Sequence, residues 1–329
     1  MSDYEKLAEL PLAVDGYETE RRTLEEGRFT RVTTTVVMSG GGSVGRGEDV
    51  TYEAEEHDRF PADLALAGSR TLDEFSQALD EFDLPDYRRW AFESAALDLA
   101  LRQNDLSLGD AVGREYRPVR FVVSTSGDIR AWLAFDPTLE FKVDAASEWT
   151  RPVMDELAAT DRVRCVDIKG YYEGEWVNRP GPDRYADVLA AFDGTVIEDA
   201  AFTDESRELL QAAADRLSFD APIHSVADIE ALEVRPGYMN IKPSRFGTCA
   251  RLFETLAYCE AQGIGLYGGG QFELGIGRNQ IQAIASLYYH DGANDVAPSA
   301  YNEPPPRAGL PSSPLRPKPP LVGLAFTAR

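Results

Sequence analysis

The feature that most constrains the fold is a regular alternation of short apolar runs and helix-length segments after Pro118. Each run suits one buried strand, and the residues that follow are enough for a helix. This alternation favours βα units in a parallel sheet, either a closed barrel or an open sheet. The expected strands are Val119–Val123, Leu139–Val143, Val163–Ile168, Gly194–Ile197, Ala221–Ile223, Tyr238–Ile241 and Ile264–Tyr267, with helices predicted at Tyr185–Phe192, Asp204–Leu217, Val226–Leu232 and Cys249–Gln262.

The first part of the chain has a different pattern. A Thr- and Val-rich run, a glycine turn at residues 39–43 and a second extended run predict a β-hairpin over residues 29–52. From Thr71 to Arg102 the apolar residues recur at helical spacing, with a break at Pro85. We therefore expect an α+β capping domain over residues 1–115, a (β/α) barrel domain over 116–297, and a proline-rich segment over 298–329 that packs back on the capping domain.

Composition excludes several classes of function. The formal charge of −23 is spread along the chain, which predicts a strongly solvated surface and disfavours nucleic acid as a partner. No apolar run approaches the roughly 18 residues of a membrane span, and no secretory signal precedes the first domain, so a cytoplasmic location is expected. Three cysteines without a CxxC pair indicate reduced, buried thiols.

An open-sheet dehydrogenase is disfavoured because no G-x-G-x-x-G or Walker loop follows a predicted strand. In a barrel, functional side chains lie at the carboxyl ends of the strands. Each charged residue there could by itself be an ordinary solvated strand end, but together they would face one cleft. The candidates are Lys142, Asp167, Glu198, His224, Lys242 and Glu273, whereas His57 and His290 follow no motif and are expected at the surface.

Four motifs resemble those of the enolase superfamily, in the branch of muconate-lactonizing enzyme and o-succinylbenzoate synthase. Arg89–Leu101 resembles the helix that closes the capping domain, and Gly42–Glu48 resembles its glycine-rich hairpin. Asn240–Gly247 is similar to the strand-6 motif with a catalytic lysine, and Gly270–Arg278 to the strand-7 motif. The resemblance implies a capped, modified (β/α)8 (TIM) barrel.

The resemblance also implies a reaction. Members of this superfamily remove the proton α to a carboxylate, and Lys142 and Lys242 match the two lysines that flank the substrate carbon. A lysine acts as a base near neutral pH only if burial and neighbouring cations lower its pKa. The implied substrate is a small carboxylate, and the outcome is cycloisomerisation, dehydration, racemisation or elimination. Relatives are often oligomeric, so a homo-oligomer is expected by analogy.

The implied cofactor is Mg²⁺. Asp167 and Glu198 match the first two metal ligands, and His224 or Ser225 occupies the place of the third, where an acidic residue is usual. Imidazole in place of a carboxylate weakens such a site, because Mg²⁺ prefers oxygen ligands. Lys169, two residues after Asp167, could instead pair with both carboxylates and fill the metal position. The sequence leaves both alternatives open.

Further residues complete the expected site. The family's strand-2 motif is Lys-x-Lys; Lys142 matches its second lysine, and Glu140 stands in place of the first. Arg245, Glu273 and Lys169 are candidates for substrate binding. Tyr171 and Tyr172 follow a strand, where they could line the cavity mouth or pack in the core. Two functions remain: an enolase-type lyase or isomerase with an atypical metal site, or a repurposed, metal-free barrel that binds a small ligand without that chemistry.

Overall fold

The computed structural model describes residues 1–26, 29–126, 128–172, 179–302, 305–318, 321–324 and 326. Twelve strands lie in these ranges: β1 (Pro11–Val14), β2 (Gly16–Glu26), β3 (Phe29–Gly40), β4 (Ser43–Asp49), β5 (Gly68–Thr71), β6 (Val123–Thr125), β7 (Phe141–Asp144), β8 (Val163–Asp167), β9 (Val196–Glu198), β10 (Leu217–Phe219), β11 (Tyr238–Ile241) and β12 (Gly265–Gly268).

Eleven α-helices lie in the same ranges: α1 (Asp3–Ala8), α2 (Leu72–Leu79), α3 (Asp86–Gln103), α4 (Leu108–Val112), α5 (Ile129–Leu133), α6 (Arg151–Ala158), α7 (Pro182–Ala191), α8 (Arg207–Ala212), α9 (Val226–Glu230), α10 (Cys249–Gln262) and α11 (Gly277–Tyr288). Short 3-10 turns occupy Ala54–Arg59, Ala214–Arg216, Pro243–Phe246 and Ser299–Asn302. Within the described part of the chain, no helix combines the length and apolar character needed to cross a membrane.

The amino-terminal part contains an antiparallel sheet in the order β2-β3-β4 and a β1-β5 ribbon. The predicted hairpin is present as β3 and β4, and positive φ angles at Gly41 and Gly42 form its tight turn. Helix α3 packs directly on β4 because Gly45 and Gly47 carry no side chain; a Cβ atom on Gly45 would lie 2.3 Å from the Leu99 backbone nitrogen. The strand β2, which is rich in charged residues, was not predicted.

The second part is a seven-stranded parallel sheet in the order β12-β11-β10-β9-β8-β7-β6. Its two edges are joined through neighbouring residues: Asn294 bridges Phe121, just before β6, and Asp295 bridges Gly269, just after β12. The Asn294 side chain also accepts a hydrogen bond from Gly268 N at 2.7 Å. A capped parallel barrel is therefore confirmed as the general architecture, with seven parallel strands in the described residues and these bridges between its two edges.

Most predicted elements of the barrel are close to the observed ones, but two strands are displaced. The first begins at Val123, four residues after the predicted start at Val119. The fifth strand of the barrel, β10, is wrong. That strand lies at Leu217–Phe219, four residues before the predicted Ala221–Ile223, which follows as a loop. The shift places Asp220 at the strand end, so it moves the expected site residue. His57 is a second correction: it is buried, and its ring nitrogens contact Thr34 Oγ1 and Thr51 O, both at 2.9 Å.

Two buried side chains connect the amino-terminal sheet to the loop after β12. Arg31 is fully buried and donates hydrogen bonds to the carbonyl oxygens of Thr51, Val50, Gln271 and Phe272 at 2.6–3.1 Å. Glu48 accepts hydrogen bonds from three backbone amides, those of Leu274, Gly275 and Gly277, at 2.7–2.9 Å. The loop that carries Gly270–Glu273 is therefore held by the hairpin as much as by the barrel.

The carboxyl-terminal segment contacts both parts of the chain. Leu315 pairs with Val119, and Gly323 exchanges backbone hydrogen bonds with Leu106 and Leu108. Leu324 N donates to the buried Asp98 carboxylate at 2.8 Å. Residues 303–304, 319–320, 325 and 327–329 of the predicted proline-rich segment lie outside the described residues.

Candidate active site

A cavity of about 930 Å³ lies at the carboxyl ends of the parallel strands. This is the end at which barrel enzymes carry their functional groups. Its floor is charged and its wall is partly aromatic, with Tyr52, Trp132, Phe272 and Tyr301 among the lining side chains. The rings of Trp132 and Tyr301 are in contact, with centroids 5.4 Å apart. The cavity therefore suits a ligand with a polar end and an apolar portion.

Lys142 reaches the cavity floor because of the alternation along β7. Phe141 and Val143 face the hydrophobic core, whereas Lys142 and Asp144 face the cavity. The Lys142 ammonium is 2% exposed, forms an ion pair with Glu198, and lies 3.3 Å from Asp167 Oδ2. Burial alone would lower the pKa of Lys142, but the two carboxylates raise it well above its usual value. The side chain is therefore held in its charged form.

Glu198 ends β9 and is completely buried. Besides Lys142, its carboxylate accepts hydrogen bonds from the Tyr267 hydroxyl and from Asn240 Nδ2, the latter at 3.1 Å. Burial raises the pKa of Glu198, although the Lys142 charge opposes that effect. Both carboxylate oxygens thus already accept from protein donors.

Lys169 lies at the mouth of the same cluster. Its φ angle of 60° turns the chain back, so that its backbone amide donates to Asp167 Oδ1 at 3.0 Å. Its ammonium lies 3.1 Å from Asp144 and 3.3 Å from Asp167. Burial opposes the charge of Lys169, but these two carboxylates raise its pKa above the usual value. The lysine between Asp167 and Glu198 is therefore Lys142, whereas Lys169 joins Asp167 to Asp144.

Lys242 follows β11 and is paired with Asp220, at 2.6 Å between Nζ and Oδ2. Arg245 binds the other oxygen of Asp220 at 3.0 Å, and the Tyr172 hydroxyl donates to Oδ2 at 3.1 Å. Although burial raises the pKa of Asp220, the two cations hold it below its usual range. Burial lowers the pKa of Lys242, but Asp220 outweighs burial and raises it. Lys242 and Tyr172 both line the cavity.

The remaining predicted residues have other side-chain partners. His224 Nδ1 contacts Asp86 Oδ2 and the Arg245 carbonyl oxygen, both at 2.9 Å, and its side chain is 42% exposed. Glu273 accepts from Gln271 N at 2.6 Å and pairs with Arg278 at 3.0 Å. Arg278 lines the cavity. Tyr171 packs edge-on against Phe219.

Glu140 does not lie beside Lys142 in the cavity. It precedes β7 and accepts from Arg120 and Arg164 at 2.6–2.8 Å, at the opposite end of the strand. The carboxylate beside Lys142 on the cavity face is that of Asp144, two residues after Lys142.

Sequence reasoning missed three site residues: Asp144, Asp220 and Tyr267. Asp144 could have been found from the two-residue period of a strand, since it shares the face of Lys142. Asp220 was hidden by the misplaced fifth strand. Tyr267 lies within a predicted strand but was assigned no role; it is buried and contacts Glu198 and Ser218.

The acidic group Asp167, Glu198 and Asp199 could hold a metal ion by distance, because one oxygen from each lies within 4.8 Å of the others. The donors around these oxygens oppose this. Glu198 is occupied as described, and Asp199 accepts from the backbone amides of Asp220 and Ala221 at 2.8 and 3.0 Å. Burial raises the pKa of Asp199 well above its usual value, which favours its neutral form. The residues as arranged do not fit a divalent cation, which requires several free oxygen ligands.

Solved structures with the same architecture come from the enolase superfamily. Muconate cycloisomerase from Pseudomonas fluorescens has 20% sequence identity and a TM-score of 0.66, covering 87% of each chain. Muconate lactonizing enzyme from Pseudomonas putida has 19% identity and a TM-score of 0.68 over 96% of this chain and 97% of that one. A member of the superfamily from Enterococcus faecalis, of unknown function, has 18% identity and a TM-score of 0.68 over 87% and 86%.

The fold is thus that of the enolase superfamily, and the resemblance predicted from the motifs is confirmed at the level of the fold. No curated protein matches the sequence. Two family models do match: the N-terminal domain of "Domain of unknown function (DUF8230)" over residues 5–111, and its C-terminal domain over residues 115–303. The chain belongs to this DUF8230 family.

Proposed function

We propose that the protein is an enzyme that removes the proton α to the carboxylate of a small acid, as a lyase or isomerase of the enolase type. The observation that carries this proposal is the convergence of Lys142 and Lys242 on one cavity at the carboxyl ends of the strands. Two ammonium groups on a buried floor can stabilise the negative charge that develops on a substrate carboxylate when its α-proton leaves.

The proton itself needs an acceptor. A lysine accepts a proton only after releasing one, and the ion pairs around both lysines oppose that release. Lys242 is held by Asp220, whose Oδ2 lies 2.6 Å from Nζ. We propose that Lys242 Nζ accepts the substrate proton in molecules in which Lys242 has first released its own proton to solvent. Lys142, held by Asp167 and Glu198, then supplies positive charge and is the second proton-transfer group.

The aromatic wall supports a substrate class. Tyr52, Trp132, Phe272 and Tyr301 offer apolar area opposite the charged floor. A carboxylate with an aromatic or cyclic portion would bury that portion against the wall and place its charged end at the lysines. Arg278 and Lys169, which also line the cavity, are proposed to bind a second polar group of the substrate.

The test is hydrogen–deuterium exchange at the α-carbon of small carboxylates in D₂O, followed by NMR. The panel contains aliphatic and aromatic acids, and the proteins are native, Lys142→Met, Lys242→Met and Lys6→Met. Lys6 is the matched control because it pairs with Asp3 on α1, away from the cavity. We expect exchange by the native protein, a loss of about 10²–10⁴-fold in either cavity variant, and no change in Lys6→Met.

A second candidate function is a barrel that binds a small ligand without catalysis. It is favoured by one observation: the ammonium groups of Lys142, Lys169 and Lys242 are all paired with carboxylates, so none is poised as a neutral base. Saturable binding of an acid from the panel without exchange at its α-carbon would support this candidate and contradict the enzyme.

A further inference from the structure

We infer that the ammonium of Lys142 is the resident cation of the buried carboxylate cluster and takes the place of a divalent metal ion there. Lys142 Nζ is in direct contact with Glu198 and lies 3.3 Å from Asp167, and both carboxylates are at most 1% exposed. A metal ion bound by these two carboxylates would compete with Lys142 for the same oxygens.

The charges of the cluster balance without a metal. Direct ion pairs join four carboxylates, those of Asp144, Asp167, Glu198 and Asp220, to four cations, and the cations are Lys142, Lys169, Lys242 and Arg245. Adding a divalent ion would place two further positive charges beside ion pairs that are already complete, in a buried region where unpaired charge is costly. Moving the Lys142 ammonium away from Glu198 would not remove the added positive charge. The charge of Lys142 disappears only if its side chain also loses a proton.

The other carboxylate oxygens also accept hydrogen bonds. Tyr267 and Asn240 occupy the Glu198 oxygen that does not face Lys142, and backbone amides occupy both oxygens of Asp199. These donors come from β11, β12 and the loop after β10, so they are fixed by the sheet. An incoming ion would have to displace these donors in addition to the lysine.

The inference differs from the expectation that Lys169 fills the metal position. Lys169 contacts Asp167 from the mouth of the cavity and is 22% exposed, whereas Lys142 lies beneath it between two carboxylates. The two lysines therefore make different predictions for metal binding. The inference does not depend on the proposed reaction, since a metal-free cluster is compatible with either function.

The experiment is a titration with Mn²⁺, a probe for divalent sites that is detected by electron paramagnetic resonance. The proteins are native, Lys142→Met, Lys169→Met, Asp167→Asn and the double variant Lys142→Met with Glu198→Gln. We expect no stoichiometric site below millimolar Mn²⁺ in the native protein or in Lys169→Met. Lys142→Met should gain one site with an affinity increased about tenfold or more, because Glu198 and Asp167 both lose the neighbouring Lys142 charge. The double variant should lose that gain.

Either of two results would overturn the inference: one Mn²⁺ bound by the native protein and lost in Asp167→Asn, or a gain in Lys169→Met but not in Lys142→Met. Circular dichroism reports whether each variant folds. If Lys142→Met is unfolded alone but folds when Mn²⁺ is added, the inference is supported, because the ion then replaces the lost ammonium between the carboxylates. If it stays unfolded, the native titration decides: absence of a site supports the inference, and a site that depends on Asp167 refutes it.

Discussion

Replacing Arg31 should destabilise the whole protein. Arg31 is fully buried, and its guanidinium donates four hydrogen bonds to carbonyl oxygens on both sides of the boundary between hairpin and barrel. Its charge also lies over the Tyr52 ring, 4.6 Å from the centroid. Arg31→Met would leave four buried carbonyl groups without these donors, and each such loss costs about 1–3 kcal/mol before relaxation.

Structural relaxation and entering water recover part of the cost of the four lost hydrogen bonds. We therefore expect the free energy of unfolding to fall by about 3–5 kcal/mol, the range for breaking a buried charged network. The assay is urea denaturation followed by circular dichroism and by tryptophan fluorescence. Arg22→Met is the matched control: Arg22 lies on the neighbouring strand β2, is exposed, and makes one 3.2 Å bond to the same loop, at Leu274 O.

The control should change the free energy of unfolding by about 0.5 kcal/mol or less. A loss below about 1 kcal/mol for Arg31→Met would refute the reasoning, because it would mean that the four bonds barely exceed what water supplies to the unfolded chain. An equal loss in both variants would show that the effect comes from charge alone and not from the buried fork of hydrogen bonds.

Two further predictions concern packing and pH. Gly45→Ala should lower the free energy of unfolding by about 3 kcal/mol, because the new methyl group would meet the Leu99 backbone, whereas Gly16→Ala, with open space around it, should stay within about 1 kcal/mol in the same urea assay. The hydrogen bond to Asp86, opposed in part by burial, raises the pKa of His224, so its contribution to stability is present below pH about 6.5 and is lost as pH rises through the raised pKa. Melting temperatures measured from pH 5.5 to 8.5 should show this loss in the native protein and not in His224→Gln; identical pH profiles would contradict it.

The strands that could be predicted from sequence are those in which apolar residues dominate a short run. Tyr238–Ile241 is found where it was expected, since Tyr238, Met239 and Ile241 are three of its four residues. The fifth strand is short and reads Leu217-Ser218-Phe219, whereas the following Ala221–Ile223 looks more apolar but lies in a loop. Asp220, at the end of the observed strand, was missed because the strand had been predicted four residues too late.

The pairing of charges could not be predicted in the same way. Lys142, Asp167, Glu198 and Lys242 were all expected at strand ends, but which lysine meets which carboxylate depends on the register between strands. Asp144 lies opposite Asp167 at the carboxyl ends of β7 and β8. Lys142 lies opposite Cys165, two residues earlier on each strand and therefore deeper in the barrel. Register is a property of paired strands and is not encoded in the local pattern of one of them. The buried position of Lys142 follows from it.

The three amides held by Glu48 have a consequence for how the chain can be divided. Because a carboxylate from the hairpin closes the turn before α11, the barrel segment expressed by itself would expose Leu274 N, Gly275 N and Gly277 N without an acceptor. The two matched segments, 5–111 and 115–303, are therefore not interchangeable modules. A chimera that joins the hairpin segment of one relative to the barrel of another should keep the cavity loop only if an acidic side chain stands at the position of Glu48.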